Sequence, residues 1–274
     1  MNLFLSVLVL ATAALAAPGQ YEPIGLYYHE NFGIAEAARI KATEEALDFD
    51  GSRITGGSHA QLGQFPFMGG LVITLANGQT SVCGSSLISN TRLTTAAHCW
   101  FDGRQNARQL VVVLGSTRLF TGGTRITTNR VQIHGSYNHL NLNNDVAVIT
   151  INHVGFNNNI RAINLASGSA HFAGQNAQAA GFGRTGDNVG ISQNQVLSQV
   201  TMPVISNADC RRTFGNAIIA STICTSGAGA RSTCPGDSGG PLRIGNTLVT
   251  GCQRSMPAGF ARVTSFNTWI RQRM

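Results

Sequence analysis

Charge is scarce in this 274-residue chain: Asp, Glu, Lys and Arg together make up 11% of it, against 43% hydrophobic residues. That hydrophobic share excludes an intrinsically disordered chain, and the charged share falls well below the roughly 25% usual for a soluble domain. Lysine is nearly absent, Lys41 being the only one, and glutamate does not occur after residue 53. Proline is sparse at 7 residues, and the 32 glycines follow no three-residue period, so a collagen helix is excluded. No internal apolar run approaches the roughly 18 residues that a membrane-spanning helix needs. No Cys-x-x-Cys pair occurs, which removes the usual zinc-ribbon spacing. No metal-ligand cluster or phosphate-cradling glycine loop stands out either, so no cofactor and no metal are expected. N-glycosylation is not expected, because there is no Asn-x-Ser/Thr acceptor.

The charges that are present divide the chain. Residues 1–53 hold seven acids and three bases, whereas from Ile54 onward there are sixteen Arg, five Asp and no Lys. A basic body raises the question of nucleic acid. The Arg residues are dispersed, with Arg211-Arg212 the only adjacent pair, so no phosphate track forms and nucleic-acid binding is set aside. Arg keeps its charge where Lys begins to lose it, which suits alkaline surroundings.

The first 53 residues read as removable. Residues 1–17 carry an apolar stretch followed by small residues with an Ala14-x-Ala16 pattern. That is the form of a secretory signal peptide cut after Ala16 or Ala17; the run is short for an uncleaved membrane anchor. Residues 18–53 form an acidic segment with helical propensity over 34–47, ending at Gly51-Ser52-Arg53 before Ile54-Thr55-Gly56-Gly57. A single Arg ahead of an aliphatic residue and two glycines looks like a proteolytic processing site. Secretion permits disulfides, and the six cysteines, Cys83, Cys99, Cys210, Cys224, Cys234 and Cys252, suggest three bridges. Spacing alone leaves fifteen connectivities open for six cysteines.

The remaining residues, 54–274, read as one all-β body. Short apolar or β-branched runs at 71–75, 110–114, 131–134, 146–151, 196–200 and 247–249 alternate with Gly and Asn clusters, the pattern of an antiparallel barrel or sandwich. Asn207 is a candidate cap for a short helix through Arg211. Phe266, Trp269 and Ile270 stand at helical spacing near the C-terminus. The Asn-rich stretches 141–144 and 157–159 read as loops.

Three residues carry candidate chemistry. Cys234-Pro235-Gly236-Asp237-Ser238-Gly239-Gly240-Pro241 sets a serine between glycines, where its hydroxyl can be exposed and the N–H groups of Gly236 and Ser238 can converge. Two such donors aimed at a developing oxyanion are worth ~3 kcal/mol or more each. Serine is a poor nucleophile without a base, and His98 stands beside a cysteine in Thr94-Thr95-Ala96-Ala97-His98-Cys99. An imidazole in that role needs a carboxylate to hold its tautomer, and Asp145 heads an apolar strand in Asn143-Asn144-Asp145-Val146-Ala147-Val148. His29, His59, His134, His139, His153 and His171 are read as surface or packing residues.

On these motifs, and in the order His, Asp, Ser, residues 54–274 resemble the chymotrypsin-like serine proteases, most closely the digestive chymotrypsins of insect, especially lepidopteran, midguts. The resemblance implies two antiparallel six-stranded β-barrels with the active site between them and a C-terminal helix. It implies His98 as general base, Asp145 as orienting acid and Ser238 as nucleophile, with bridges Cys83–Cys99, Cys210–Cys224 and Cys234–Cys252. Residues 18–53 become the activation propeptide, Arg53–Ile54 the activation bond, and Asp237 the partner of the new α-amino group of Ile54. The implied partners are protein or peptide substrates and an activating trypsin-like protease, for a monomer secreted into the gut lumen and not bound to a membrane.

Ser232, six positions before Ser238, would floor the primary specificity pocket with no acid to neutralise Lys or Arg. With Gly259 and Phe260 near the wall, that suits large apolar or aromatic side chains. One departure stands against the family pattern. Ser238 and Cys252 are fourteen positions apart, where family members carry a longer stretch with a pocket wall and a substrate-pairing strand. The alternative expectation is therefore a weakly active or non-catalytic homologue.

Overall fold

The computed structural model describes residues 25–50, 60–183, 196–227, 236–251 and 258–274. The leader peptide, Arg53, Ile54, Ser232, Cys234 and Cys252 lie outside the described residues, and with them the third expected bridge.

Two β-sheets make up the body. The first contains β1 (Met68–Leu75), β2 (Thr80–Ser89), β3 (Arg92–Thr95), β4 (Ala107–Leu114), β5 (Thr124–Thr128), β6 (Val131–Ile133) and β7 (Ala147–Thr150), in the order β5-β4-β1-β2-β3-β7-β6. The second contains β8 (Asn164–Leu165), β9 (Asn176–Gly181), β10 (Ser198–Ile205), β11 (Thr222–Thr225), β12 (Pro241–Ile244), β13 (Thr247–Gly251) and β14 (Ala258–Ala261), in the order β14-β11-β10-β9-β12-β13-β8. Among the described residues each sheet has seven strands, where six were expected. In the second, the extra member is the two-residue β8, which pairs parallel to β13 through Thr247↔Asn164 and Leu248↔Leu165. Every other described pairing is antiparallel.

The apolar runs fold as strands because alternate side chains point to one face and can be buried together. Leu71 and Ile73 on β1 sit opposite Val112 and Leu110 on β4, and all four are buried. At ~25 cal/mol per Å² of apolar surface removed from water, each such side chain contributes roughly 1.5–3 kcal/mol.

Among the described residues three α-helices accompany the sheets. α1 (Ile34–Asp50) follows a wide π-type turn at His29–Gly33 and covers the expected helical stretch. α2 (Asn207–Phe214) runs one turn beyond the expected Arg211, and its cap is Ser206, whose hydroxyl accepts from the Asp209 N–H. Asn207 turns away and donates through Nδ2 to the Ile219 and Thr222 carbonyls. α3 (Val263–Arg271) buries Phe266 and Ile270 and packs Trp269 partly against the core, as the spacing implied. No described helix is long and apolar enough to cross a membrane.

Candidate active site

The register of two strands brings His98 to Asp145. β3 and β7 pair antiparallel with Thr95 opposite Ala147, so the chain leaving β3 passes the chain entering β7. His98 sits in the single turn Ala97–Cys99 that follows β3, and Asp145 lies two residues ahead of β7. A disulfide from Cys99 to Cys83 on β2 ties that turn to the sheet. The Asp145 carboxylate then grips the histidine twice: Oδ1 accepts from the His98 backbone N–H at 2.9 Å, and Oδ2 lies 2.6 Å from Nδ1. Such a carboxylate fixes the proton on Nδ1 and leaves Nε2 with the lone pair. The His98 ring is fully buried, and Nε2 has no hydrogen-bond partner among the described residues.

One His98 nitrogen and the sulfurs of Cys83 and Cys99 lie within 4.8 Å of one another. Both sulfurs are tied up in the bond between them, so this trio is not a metal site.

Ser238 comes from the second sheet, in the turn that enters β12. The Gly84 N–H donates to the Ser238 carbonyl at 2.7 Å, stitching that turn to β2. The approach is backbone against backbone: a Cβ on Gly84 would stand 2.6 Å from the Gly240 Cα, so only glycine allows it. Gly239 is constrained further, with φ at +79° and a would-be Cβ 2.7 Å from the Gly84 oxygen and 2.2 Å from the Thr95 hydroxyl. Gly239→Ala is expected to destabilise the chain by about 2–5 kcal/mol, from left-handed strain plus overlap. The midpoint of urea unfolding measures this, and a shift under ~0.5 kcal/mol would contradict the packing described.

Asp237, expected to receive the Ile54 amine, accepts from the Gly183 N–H through Oδ1 at 2.7 Å. Gly259 lies on β14 opposite Cys224, and Phe260 is buried beside Ile223. The Cys210–Cys224 bridge is formed and ties α2 to β11. The shortened stretch after Ser238 folds as the β12–β13 hairpin, turning at Gly245 and Asn246, and β13 ends on Gly251 directly before Cys252.

The sequence reading missed two residues at this site. Tyr28 is buried with its ring centroid 4.8 Å from that of His98. Its hydroxyl accepts from the Gly236 N–H at 3.2 Å and donates to the Val82 carbonyl at 2.9 Å. Burial pushes the Tyr28 phenol above its ordinary value, against the opposing effect of the Gly236 N–H and the Ser238 hydroxyl. His29, read as a surface or packing residue, is fully buried beside it, with Nδ1 2.8 Å from the Ser81 hydroxyl. Burial pulls the His29 imidazole down to about 4, against the pull of Asp102. The only sequence signal for either was an aromatic cluster, Tyr27-Tyr28-His29, in an otherwise acidic segment.

The trypsin family model matches residues 54–270. A collagenase of Hypoderma lineatum is 37% identical over 235 residues, spanning 80% of this chain and 86% of that protein. Alkaline trypsin A of Manduca sexta is 31% identical over 288 residues, spanning 99% of both chains. The solved structure of HL collagenase superposes with a TM-score of 0.72 at 35% identity, covering 80% of this chain and 98% of the other. The fold expected from the motifs is thus found in a solved relative, and the chain belongs to the trypsin family of serine endopeptidases.

Proposed function

We propose that the chain is a secreted digestive endopeptidase made as a zymogen, with Ser238, His98 and Asp145 as its catalytic triad. The observation that carries this is the double grip of Asp145 on His98, which presents a deprotonated Nε2 as general base. His98 takes the Ser238 proton as the serine oxygen attacks a peptide carbonyl, then returns that proton to the leaving amine. The N–H groups of Gly236 and Ser238 receive the oxyanion. Water releases the acyl group by the same route in reverse.

An activating protease would cut Arg53–Ile54, and the Ile54 amine would join Asp237. Cys234–Cys252 would supply the third bridge. The Manduca sexta relatives called alkaline trypsins, together with an almost exclusively Arg-based positive charge, favour work in an alkaline gut lumen. A basic surface whose charge survives high pH keeps the protein soluble there.

A neutral pocket floor at Ser232, with Gly259 at the wall, favours large apolar side chains before the cut bond. The chain cleaved after Arg53 should therefore hydrolyse Phe and Tyr peptides in preference to Arg and Lys peptides. Greater kcat/KM on an Arg peptide would overturn the pocket reading. The second reading, a non-catalytic or weakly active homologue, is favoured by the β13 strand ending immediately before Cys252. It predicts covalent labelling of Ser238 without turnover of either peptide class.

A further inference from the structure

We propose that residues 25–46 are a built-in inhibitor that fills the active cleft and remains reversibly bound after the Arg53–Ile54 bond is cut. The proposal rests on the assignment of Gly236 and Ser238 to the oxyanion hole. Tyr28 is its centre. The phenol oxygen takes the Gly236 N–H, a donor that the reaction needs for the substrate carbonyl, while the ring lies against His98. A substrate carbonyl cannot enter while the phenol is there. The occupant also survives its position, because a phenol offers no carbonyl carbon for Ser238 to attack. It behaves as an inhibitor and not as a slow substrate.

The flanking residues hold that tyrosine in place. The His29 backbone N–H donates to Asp102 Oδ2 at 2.8 Å, completing a buried carboxylate whose Oδ1 already accepts from the Arg104 and Gln105 N–H groups. Glu30 takes Arg104 at 3.2 Å and Gln105 at 2.8 Å, and the Arg104 guanidinium lies 3.7 Å above the Tyr27 ring. On α1, Ala37 and Ile40 are buried in the body's own core. Further along, the Glu44 carboxylate accepts from the N–H groups of Leu119, Phe120 and Thr121 at 2.5–3.0 Å. An acidic segment thus docks on a body whose charge is mostly Arg, through contacts from Asp102 to Thr121 that are made by residues ahead of Arg53.

The test uses the full chain, cleaved after Arg53 with immobilised trypsin and then diluted from about 10 μM to about 10 nM, a range that separates a micromolar complex. Specific activity of the wild type should rise roughly tenfold or more on dilution as the fragment leaves. Tyr28→Ala should be fully active at every concentration. Tyr28→Phe, which keeps the ring and loses the hydroxyl's hydrogen bonds, should fall between them. Concentration-independent activity equal in wild type and Tyr28→Ala would overturn the proposal.

Gel filtration of the cleaved Ser238→Ala chain gives a readout without catalysis. The fragment should travel with the body at the higher concentration and separate when Tyr28→Ala is added. Tyr28-dependent retention, with the Ser238 parent inactive at every dilution, would uphold the docked segment and refute the catalytic reading. An active chain whose fragment never co-elutes would refute the inhibitor alone.

Discussion

Ser238→Ala, made in the chain cleaved after Arg53, is expected to lower kcat by about 10⁶-fold on a Phe or Tyr peptide while KM changes only a few-fold. The hydroxyl is the sole nucleophile in the proposed reaction, so its loss removes the acylation step itself. What remains is the pocket and the two oxyanion donors, which keep binding the peptide and give a residual ~10³–10⁴-fold acceleration over water. The substitution leaves the Gly84 N–H to Ser238 carbonyl bond untouched, because that bond is main chain to main chain. Stability should therefore stay near that of the parent, and a loss of activity with an unchanged Tm separates chemistry from folding. A decline of only a few-fold would mean that another group attacks the carbonyl.

Asp145→Asn should lower kcat by about 10⁴-fold, the size established for the same exchange in the best-studied members of this family. The mechanism can be read from the two contacts. Asp145 Oδ1 accepts from the His98 N–H and Oδ2 from the proton on Nδ1. A carboxamide can keep its oxygen on the backbone N–H, but then its NH₂ faces Nδ1 and can only donate. The imidazole must answer with a lone pair on Nδ1 and carry its proton on Nε2, where it cannot take one from Ser238. Fold and packing survive while the base is lost. A kcat within tenfold of the parent would show that the carboxylate does not set the tautomer.

Much of this architecture could be read from residue patterns alone. The runs at 71–75, 110–114 and 247–249 lie within β1, β4 and β13 because each alternates or sustains apolar side chains that a sheet can bury. The run at 196–200 was misjudged at both ends: β10 starts at Ser198 and continues through Pro203 to Ile205. Pro203 has no N–H to give, and the neighbouring bonds reach around it, with Val204 N–H donating to Gln175 and the Pro203 carbonyl accepting from Ser226. The two-residue β8 had no local signal, since its pairing is decided by β13 more than eighty residues away.

The site divides in the same way. His98, Asp145 and Ser238 each sit in a distinctive local string, so they were legible one at a time. The meeting of His98 with Asp145 depends on the β3–β7 register and the Cys83–Cys99 bridge, and the seating of Ser238 against β2 on the Gly84 contacts, which are matters of folding. Tyr28 and His29 were illegible because their partners, Gly236, Val82, Ser81 and Asp102, lie 52 to 208 positions along the chain. A tyrosine in an acidic leader looks like any loop aromatic until the cleft it fills has been built.

Fluorophosphonate labelling of the activated chain, followed by peptide mapping once residues 25–46 have been separated from the body, tests the catalytic assignment most directly. One adduct per molecule is expected, on Ser238, formed quickly in the parent and almost undetectably in His98→Ala. Labelling at another residue, or labelling of Ser238 at an equal rate without His98, would contradict it.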